Sequence, residues 1–587
     1  MTPTRTAPLL CKPWVPVVTG SLLIFCIFPL QAVTIPSSTH TVNLQQLSST
    51  SSSFALPPQS TINTTSGDGI SGNASRDWLL SLQGPITAAG NGVSLSSKIS
   101  SQAFIDNYGA ITARGISETS AGVVLLNGGS LTNHSGATIN SSANGIYSAV
   151  APTTVINQTS ALISGNIGVH LAASNSTLNN SGTITGTGGT AVLLSGSNNN
   201  LVLDSGSAIN GDLISTGTGN TLFLLNNGVL DGNIQGTSSG SGFRNLMMNG
   251  IRWDLNGNIN LIGTSPASLF VAGGGLLVVS GTLTNSSQGA GVTVAQKGSL
   301  QIGDGGTTGE LDVPISNDGT VTFYRSDSKL VLNTPISGDG VLVLRGTGVS
   351  NQSSYILQSD ANTFNGNVVI GAGARLQTTS ANPAPRAHIV VSDGGTLWLG
   401  SSAIFTSPIL VKGNGWTEPS GQLGALRLDS GATAAGPVTL LGNTRITAVF
   451  SNYTGTISGD IDDASHGYQL EKSGDGLITL SGDNTYSGGT LLSDGTLSVS
   501  QDNNLGANSS TLVFNGGTLL TTGDFISNRV LSVNSPGGTL SLSGTNTFAG
   551  GISGAGNLTL SSGILTLAGD DSRTGSTQIN AGTQLNI

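Results

Sequence analysis

Six short segments of this 587-residue chain share one pattern, and their spacing constrains the fold more than any other feature. Ala110-Ile111-Thr112-Ala113, Thr138-Ile139-Asn140-Ser141, Leu162-Ile163-Ser164-Gly165, Thr183-Ile184-Thr185-Gly186, Ala208-Ile209-Asn210-Gly211 and Val229-Leu230-Asp231-Gly232 each set an apolar anchor between polar turns. The anchors at 111, 139, 163, 184, 209 and 230 are 28, 24, 21, 25 and 21 residues apart. Between them lie β-type runs such as Val123–Leu126, Ala191–Leu194 and Leu222–Leu225, bounded by Gly, Asn and Ser. Short strands at near-regular spacing between turn residues predict an all-β fold, a parallel β-helix or β-solenoid. A single coil cannot bury its own apolar face, whereas stacked coils share one interior with strands about 4.8 Å apart. At about 22 residues per coil, residues 55–587 would give roughly 24 coils and a rod on the order of 115 Å long.

Composition agrees with stacking. Charged residues are 8% of the chain, where soluble domains carry about 25%. Like charges repeated in register would repel down a stack, while Asn, Thr and Ser form hydrogen-bonded ladders. The 86 glycines suit tight corners. Hydrophobic residues at 37% supply a continuous core, which sets the chain apart from charged, apolar-poor disordered sequences.

The first residues read as an export signal, with Arg5 and Lys12 ahead of an apolar run from Val15 to Leu30 and cleavage expected after Ala32. Residues 33–62, rich in Ser, Thr and Pro, read as a flexible or capping segment at the start of the rod. Coils of about 21–28 residues are expected over 63–335 and a different repeat over 336–587, ending mid-repeat. Cys11 and Cys26 both lie in the signal, so the exported part is expected to lack disulfides, thiol catalysis and cysteine-held metals. Without Arg5 and Lys12, 17 basic residues face 29 acidic ones, and nucleic acid is excluded as a partner for want of a positive footprint.

The second repeat is the more diagnostic. Leu480-Ser-Gly-Asp-Asn484-Thr485-Tyr486-Ser-Gly488-Gly489-Thr490 precedes Asp494-Gly495-Thr496-Leu497 and Asn503-Asn504-Leu505-Gly506. It returns 62 residues on as Leu542-Ser-Gly-Thr-Asn546-Thr547-Phe548-Ala-Gly550-Gly551, and more loosely as Asn362-Thr363-Phe364-Asn-Gly366. Lead-in strands begin at Ser337, Ser473 and Ser553.

This unit resembles the autotransporter-associated β-strand repeat of passenger domains in type V secretion proteins of Gram-negative bacteria, closely over 473–506 and fairly over 337–376 and 537–587. The resemblance implies a right-handed parallel β-helix, exported to the periplasm, threaded through an outer-membrane β-barrel, and displayed at the cell surface or released. Such proteins normally continue into a barrel of alternating strands with aromatic girdles. Nothing after residue 506 reads as one, so an outer-membrane β-barrel partner is expected but not encoded in this chain, leaving a periplasmic location if no barrel is available. The expected role is an adhesin-like or self-associating, non-enzymatic surface protein, with host-surface or self-association contacts. The alternatives are a β-helix enzyme acting on polysaccharide and a truncated remnant without independent activity.

No catalytic, cofactor-binding or metal-binding residues are assigned, and no cofactor is expected. Asp204-Ser205-Gly206-Ser207 looks like the nucleophile stretch of serine-protease autotransporters but falls in register with the coil repeat, as do His134 and His170. Asp460, Asp462, Asp463 and His466 form the densest acidic cluster and read as a solvated loop. Asp304, Asp339 and Asp475 each precede Gly at a turn without the tandem nonapeptide of calcium-binding β-rolls. Trp416 is a candidate for glycan stacking, and Trp398 reads as interior packing.

Overall fold

A computed structural model describes residues 32–97, 101–236, 241–261, 268–284, 291–349, 352–358, 362–378, 384, 386–400, 402, 404–418 and 421–587. The signal expected at 1–32 lies outside the described residues except for its last position. The chain is a parallel β-solenoid of about 23 turns. Four long sheets carry it, all paired in parallel. Sheet I has fourteen strands, from Val33–Thr34 to Ile336–Ser337, and runs beside the sixteen-stranded sheet II. Sheet III, of twenty-one strands, begins at Asn227–Leu230 and ends at Ile552–Ser553. Sheet IV, of eleven, begins at Ile404–Phe405. The single antiparallel pair among the described residues is a small hairpin, Thr417–Glu418 with Gly421–Gln422.

The anchors read from the sequence are stacked neighbours. Ile111 pairs with Ile139, Ile139 with Ile163, Ile163 with Ile184 and Ile184 with Ile209, in sheet II. The sixth breaks the series: Leu213 pairs with Ile234 to continue sheet II, while Leu230 pairs with Leu255 in the new sheet III. A 21-residue interval is common to both paths, so spacing by itself could not separate them.

Alternation along each strand puts one set of side chains inside. In Asn220–Leu224, Leu222 and Leu224 are buried between Leu201 and Leu203 of one coil and Leu246 and Met248 of the next. Where adjacent coils approach most closely, only small residues fit. A Cβ on Gly145 would meet the Gly168 carbonyl oxygen and Ile163 Cγ2, and Gly122 and Gly168 occupy the same column. Residues 33–63 form the first coils: Val33 pairs with Phe54, Val42 with Ile70 and Ile62 with Ile86, and the short helix Leu44–Leu47 is capped by Asn43 Oδ1. The apolar residues scattered through this Ser/Thr-rich stretch, Ile35, Val42, Leu44, Phe54, Leu56 and Ile62, all point inward.

Polar ladders bind the coils where the core meets a corner. Asn107 donates from Nδ2 to Asn133 Oδ1 at 2.8 Å, Asn133 to Asn157 at 2.9 Å and Asn157 to Asn180 at 2.8 Å. All four are buried. Elsewhere a side-chain oxygen accepts a backbone N–H of the following coil: Asp212 from Asn233, Asn233 from Asn258 and Asn258 from Thr282, at 2.9–3.0 Å. Removing one rung leaves two buried groups unpaired. Asn133→Ala is expected to cost on the order of 2–4 kcal/mol. Hydrogen exchange should show the loss concentrated in residues 103–163, the coils on either side of the missing rung.

Candidate functional site

The residue groups that could have carried chemistry are bound into the scaffold. Ser205 is exposed, and Asp204 Oδ1 accepts the Ser205 N–H and the Asn226 amide. Ser207 Oγ donates to the Asn180 carbonyl at 2.6 Å. No histidine joins them. His134 instead stacks on Tyr108, with ring centroids 3.9 Å apart, and meets Asp106 at 2.8 Å. His170 lies 2.7 Å from Ser195 Oγ, and burial pulls its pKa below the ordinary histidine value. Its other ring nitrogen has no hydrogen-bond partner among the described residues, so the dyad lacks the orienting group a nucleophile requires. Asp304 serves its own turn, accepting from the Gly306 N–H, and Asp339 accepts from the Asn365 amide of the next coil.

The acidic loop is exposed at Asp460, at residues 464 and 465, at His466 and at Gly467, as expected, but not at Asp463. Asp463 is buried, and its carboxylate accepts hydrogen bonds from the N–H groups of Ser465, Gly467, Tyr468 and Ser487 and from Ser487 Oγ, at 2.9–3.1 Å. Burial opposes ionisation, but the bonds from Ser487, Tyr468 and Ser465 outweigh it and hold the pKa below the ordinary carboxylate value. Asp462 accepts from Thr439 Oγ1, and Asp460 from the Asp483 N–H. These carboxylates organise turns and do not converge on a cleft.

Both tryptophan readings also change. Trp398 lies on the outer surface of sheet III, because Leu397 and Leu399 occupy the inward positions of its strand. The Arg375 and Arg427 guanidiniums cover its ring at 4.8 and 4.2 Å. Trp416 is buried beneath Arg375 at 4.3 Å and offers no platform for a glycan. Glu418 accepts from both arginines at 3.3 Å, and Asp429 from Arg427 Nε at 2.6 Å, so the strand Thr417–Glu418 is pinned to the wall of the rod.

The second repeat has a shared geometry. Asn484 Oδ1 accepts the Ile461 N–H at 2.8 Å while the Thr485 N–H donates to the Ile461 carbonyl at 2.8 Å. Asn362 and Thr363 bracket Ile336 in the same way, at 2.8 and 3.0 Å. The aromatic residue that follows, Tyr486 or Phe364, fills the interior. The copy at Asn546 differs: Gly538–Phe548 is one continuous strand, and Asn546 pairs with Phe525.

Lys472 and Arg529 are interior cations that went unnoticed in the sequence. Lys472 stands between Ile446 and Leu492 in an inward column, and its Nζ donates to the carbonyls of Ser473, Gly474 and Asp494 at 3.0, 2.7 and 3.1 Å. Arg529 is buried, pairs with Asp502 at 2.9 Å, and donates to the carbonyls of Asp502, Ala507 and Gly506 around the 3-10 turn Asp502–Leu505. The alternation of Leu470-Glu471-Lys472 was the available signal, since it places Lys472 on the same face as Leu470.

A family model described as the passenger-associated-transport-repeat matches residues 470–499, 537–553 and 561–583. The chain carries passenger-associated-transport repeats. The first match opens on Leu470 and Lys472 and includes Asn484 and Tyr486; the second includes Asn546 and Phe548. The chain is also 41% identical over 132 residues to "Adhesin BmaC autotransporter" of Brucella suis biovar 1 (strain 1330), a stretch covering 22% of this chain and 4% of that protein. The repeats and the similarity to part of an adhesin autotransporter agree with each other, and a β-solenoid fits a passenger domain.

Titration separates buried Lys472 of the first repeat from buried Asp463 just ahead of it. Burial lowers Lys472 from 10.5 to about 8, against the pull of Asp494 and Asp475. The unfolded chain holds this proton up to higher pH than the folded chain does, so stability rises between pH 8 and 10.5. Relative to Lys472→Met, the wild type should gain on the order of 3 kcal/mol over that interval in urea titrations. Asp463 has the opposite sense, because its pKa is depressed on folding and its contribution is lost as pH falls through the folded value. Asp463→Asn should destabilise by about 1–3 kcal/mol at pH 7, with the gap closing below the ordinary carboxylate value.

Proposed function

We propose that this chain is the passenger part of an autotransporter, an adhesin-like or self-associating rod that acts without catalysis at the cell surface. The observation that carries the reading is the parallel stack of coils among the described residues together with the passenger-associated-transport repeats it contains. Similarity to an adhesin autotransporter supports the adhesive role over part of the length. Residues 1–32 serve as the export signal, 33–335 form the presenting rod, and 336–587 hold the repeats nearest an outer-membrane barrel partner. The rod works by multivalency: many weak contacts along a stiff body add through effective concentration. The way Asp204, His134, Asp460, Asp462 and Asp463 are held by the scaffold supports a non-enzymatic role.

Cells displaying the full chain fused to a complete barrel should lose it to external protease and bind abiotic or host surfaces several-fold better than cells with the barrel alone. Protease-accessible display without any gain in binding or aggregation would overturn the adhesive reading.

A further inference from the structure

The outward face of sheet I departs from the polar pattern of a solvated wall. At the regular outward positions, Val202 pairs with Phe223, Phe223 with Met247 and Met247 with Phe270, so four successive coils present a half-buried apolar column to solvent. Their inward neighbours are already apolar, which makes these strands apolar on both faces. Beside the column runs a polar one in which Asn245 Nδ2 donates to Thr221 Oγ1 at 3.5 Å and Ser268 Oγ to Asn245 Oδ1 at 3.1 Å. From Thr153–Asn157 to Ile336–Ser337, the one charged side chain on the strands of sheet I is Arg244, at a bulge.

We infer that this face is an interface between two copies of this chain, packed sheet against sheet with the apolar column at its centre. Three observations select that occupant. The column repeats at the strand spacing of about 4.8 Å, and a second copy presents rungs at the identical period, so all four can interdigitate at once. The chain carries a net charge of −10, and two copies approach with least repulsion through a face almost free of charge. The nine strands from Thr153–Asn157 to Ile336–Ser337 form a face of about 40 by 13 Å, on the order of 500 Å² per copy, the size of a weak, reversible contact. Partly exposed Phe223, Met247 and Phe270 are the kind of large side chain that anchors such contacts.

This deepens the self-associating form of the proposed function, and the two can fail separately. In the full chain with Cys11→Ser and Cys26→Ser, Phe223→Cys and Met247→Cys place a thiol at the centre of the column, and Thr496→Cys places one on sheet IV as a control. A thiol-specific crosslinker spanning about 10 Å, the distance between packed sheets, should join two copies of Phe223→Cys, of Met247→Cys, or of an equimolar mixture, several-fold more than Thr496→Cys. Sedimentation should show a concentration-dependent dimer that Met247→Asp abolishes while the circular dichroism is unchanged. Crosslinking no better than the control, or a dimer unaffected by Met247→Asp, would overturn the interface. Displayed Met247→Asp should lose cell–cell aggregation and keep binding to foreign surfaces. Loss of both with the crosslink intact would count against the adhesive rod and leave the interface standing.

Discussion

Every coil of this chain has backbone N–H and C=O groups that point along the rod, and only the neighbouring coil can satisfy them. Parallel pairing therefore comes before every other property of the structure. It holds equivalent positions in register over many coils, as from Ile111 to Ile209, and turns isolated apolar residues into a continuous interior. It also decides which side chains are tolerable. Asparagine succeeds at 107, 133, 157 and 180 because one amide is both donor and acceptor and can bond upward and downward at once. A carboxylate stacked on carboxylates could not.

In and around the passenger-associated-transport repeats charge is used differently. Lys472, Asp463 and Arg529 are each surrounded by backbone groups of opposite polarity instead of by like neighbours, with Asp502 beside Arg529. A buried charge with full hydrogen bonding fixes one local conformation, because any shift of the turn leaves it unpaired. Lys472 gathers carbonyls from two successive coils, and Arg529 closes around the 3-10 turn. Irregular turns that the strand ladders do not reach are thus specified by individual cations and anions.

The fold was largely legible in the sequence because the stacking period is written into it: the anchors at 111, 139, 163, 184 and 209 are spatial neighbours. What escaped was the cross-section. Leu230 belongs to a sheet that begins beside the older ones, and a spacing of 21 residues carries no record of that change. Motif identity likewise did not guarantee conformation. Asn484 caps a neighbouring coil, whereas Asn546 lies within a strand, because the coil after Asn484 forms the 3-10 turn that receives its amide at Asn504 and the coil after Asn546 forms the strand Leu558–Leu567. Asp463 was misplaced for a related reason: its burial rests on Ser487 of the next coil, which local sequence cannot show. Trp398 was misplaced against its own alternation, since Leu397 and Leu399 on either side take the inward positions.

The register of the asparagine ladder has a bearing on how such a chain changes length over evolutionary time. Because Asn133, Asn157 and Asn180 occupy equivalent places, excising the residues between any two of them removes a whole coil and joins matching partners across the gap. Hydrogen bonds, interior columns and corners would all find successors of the same kind. Recombination between similar coding segments can therefore shorten or extend the rod in steps of about 5 Å without first passing through a misfolded intermediate sequence.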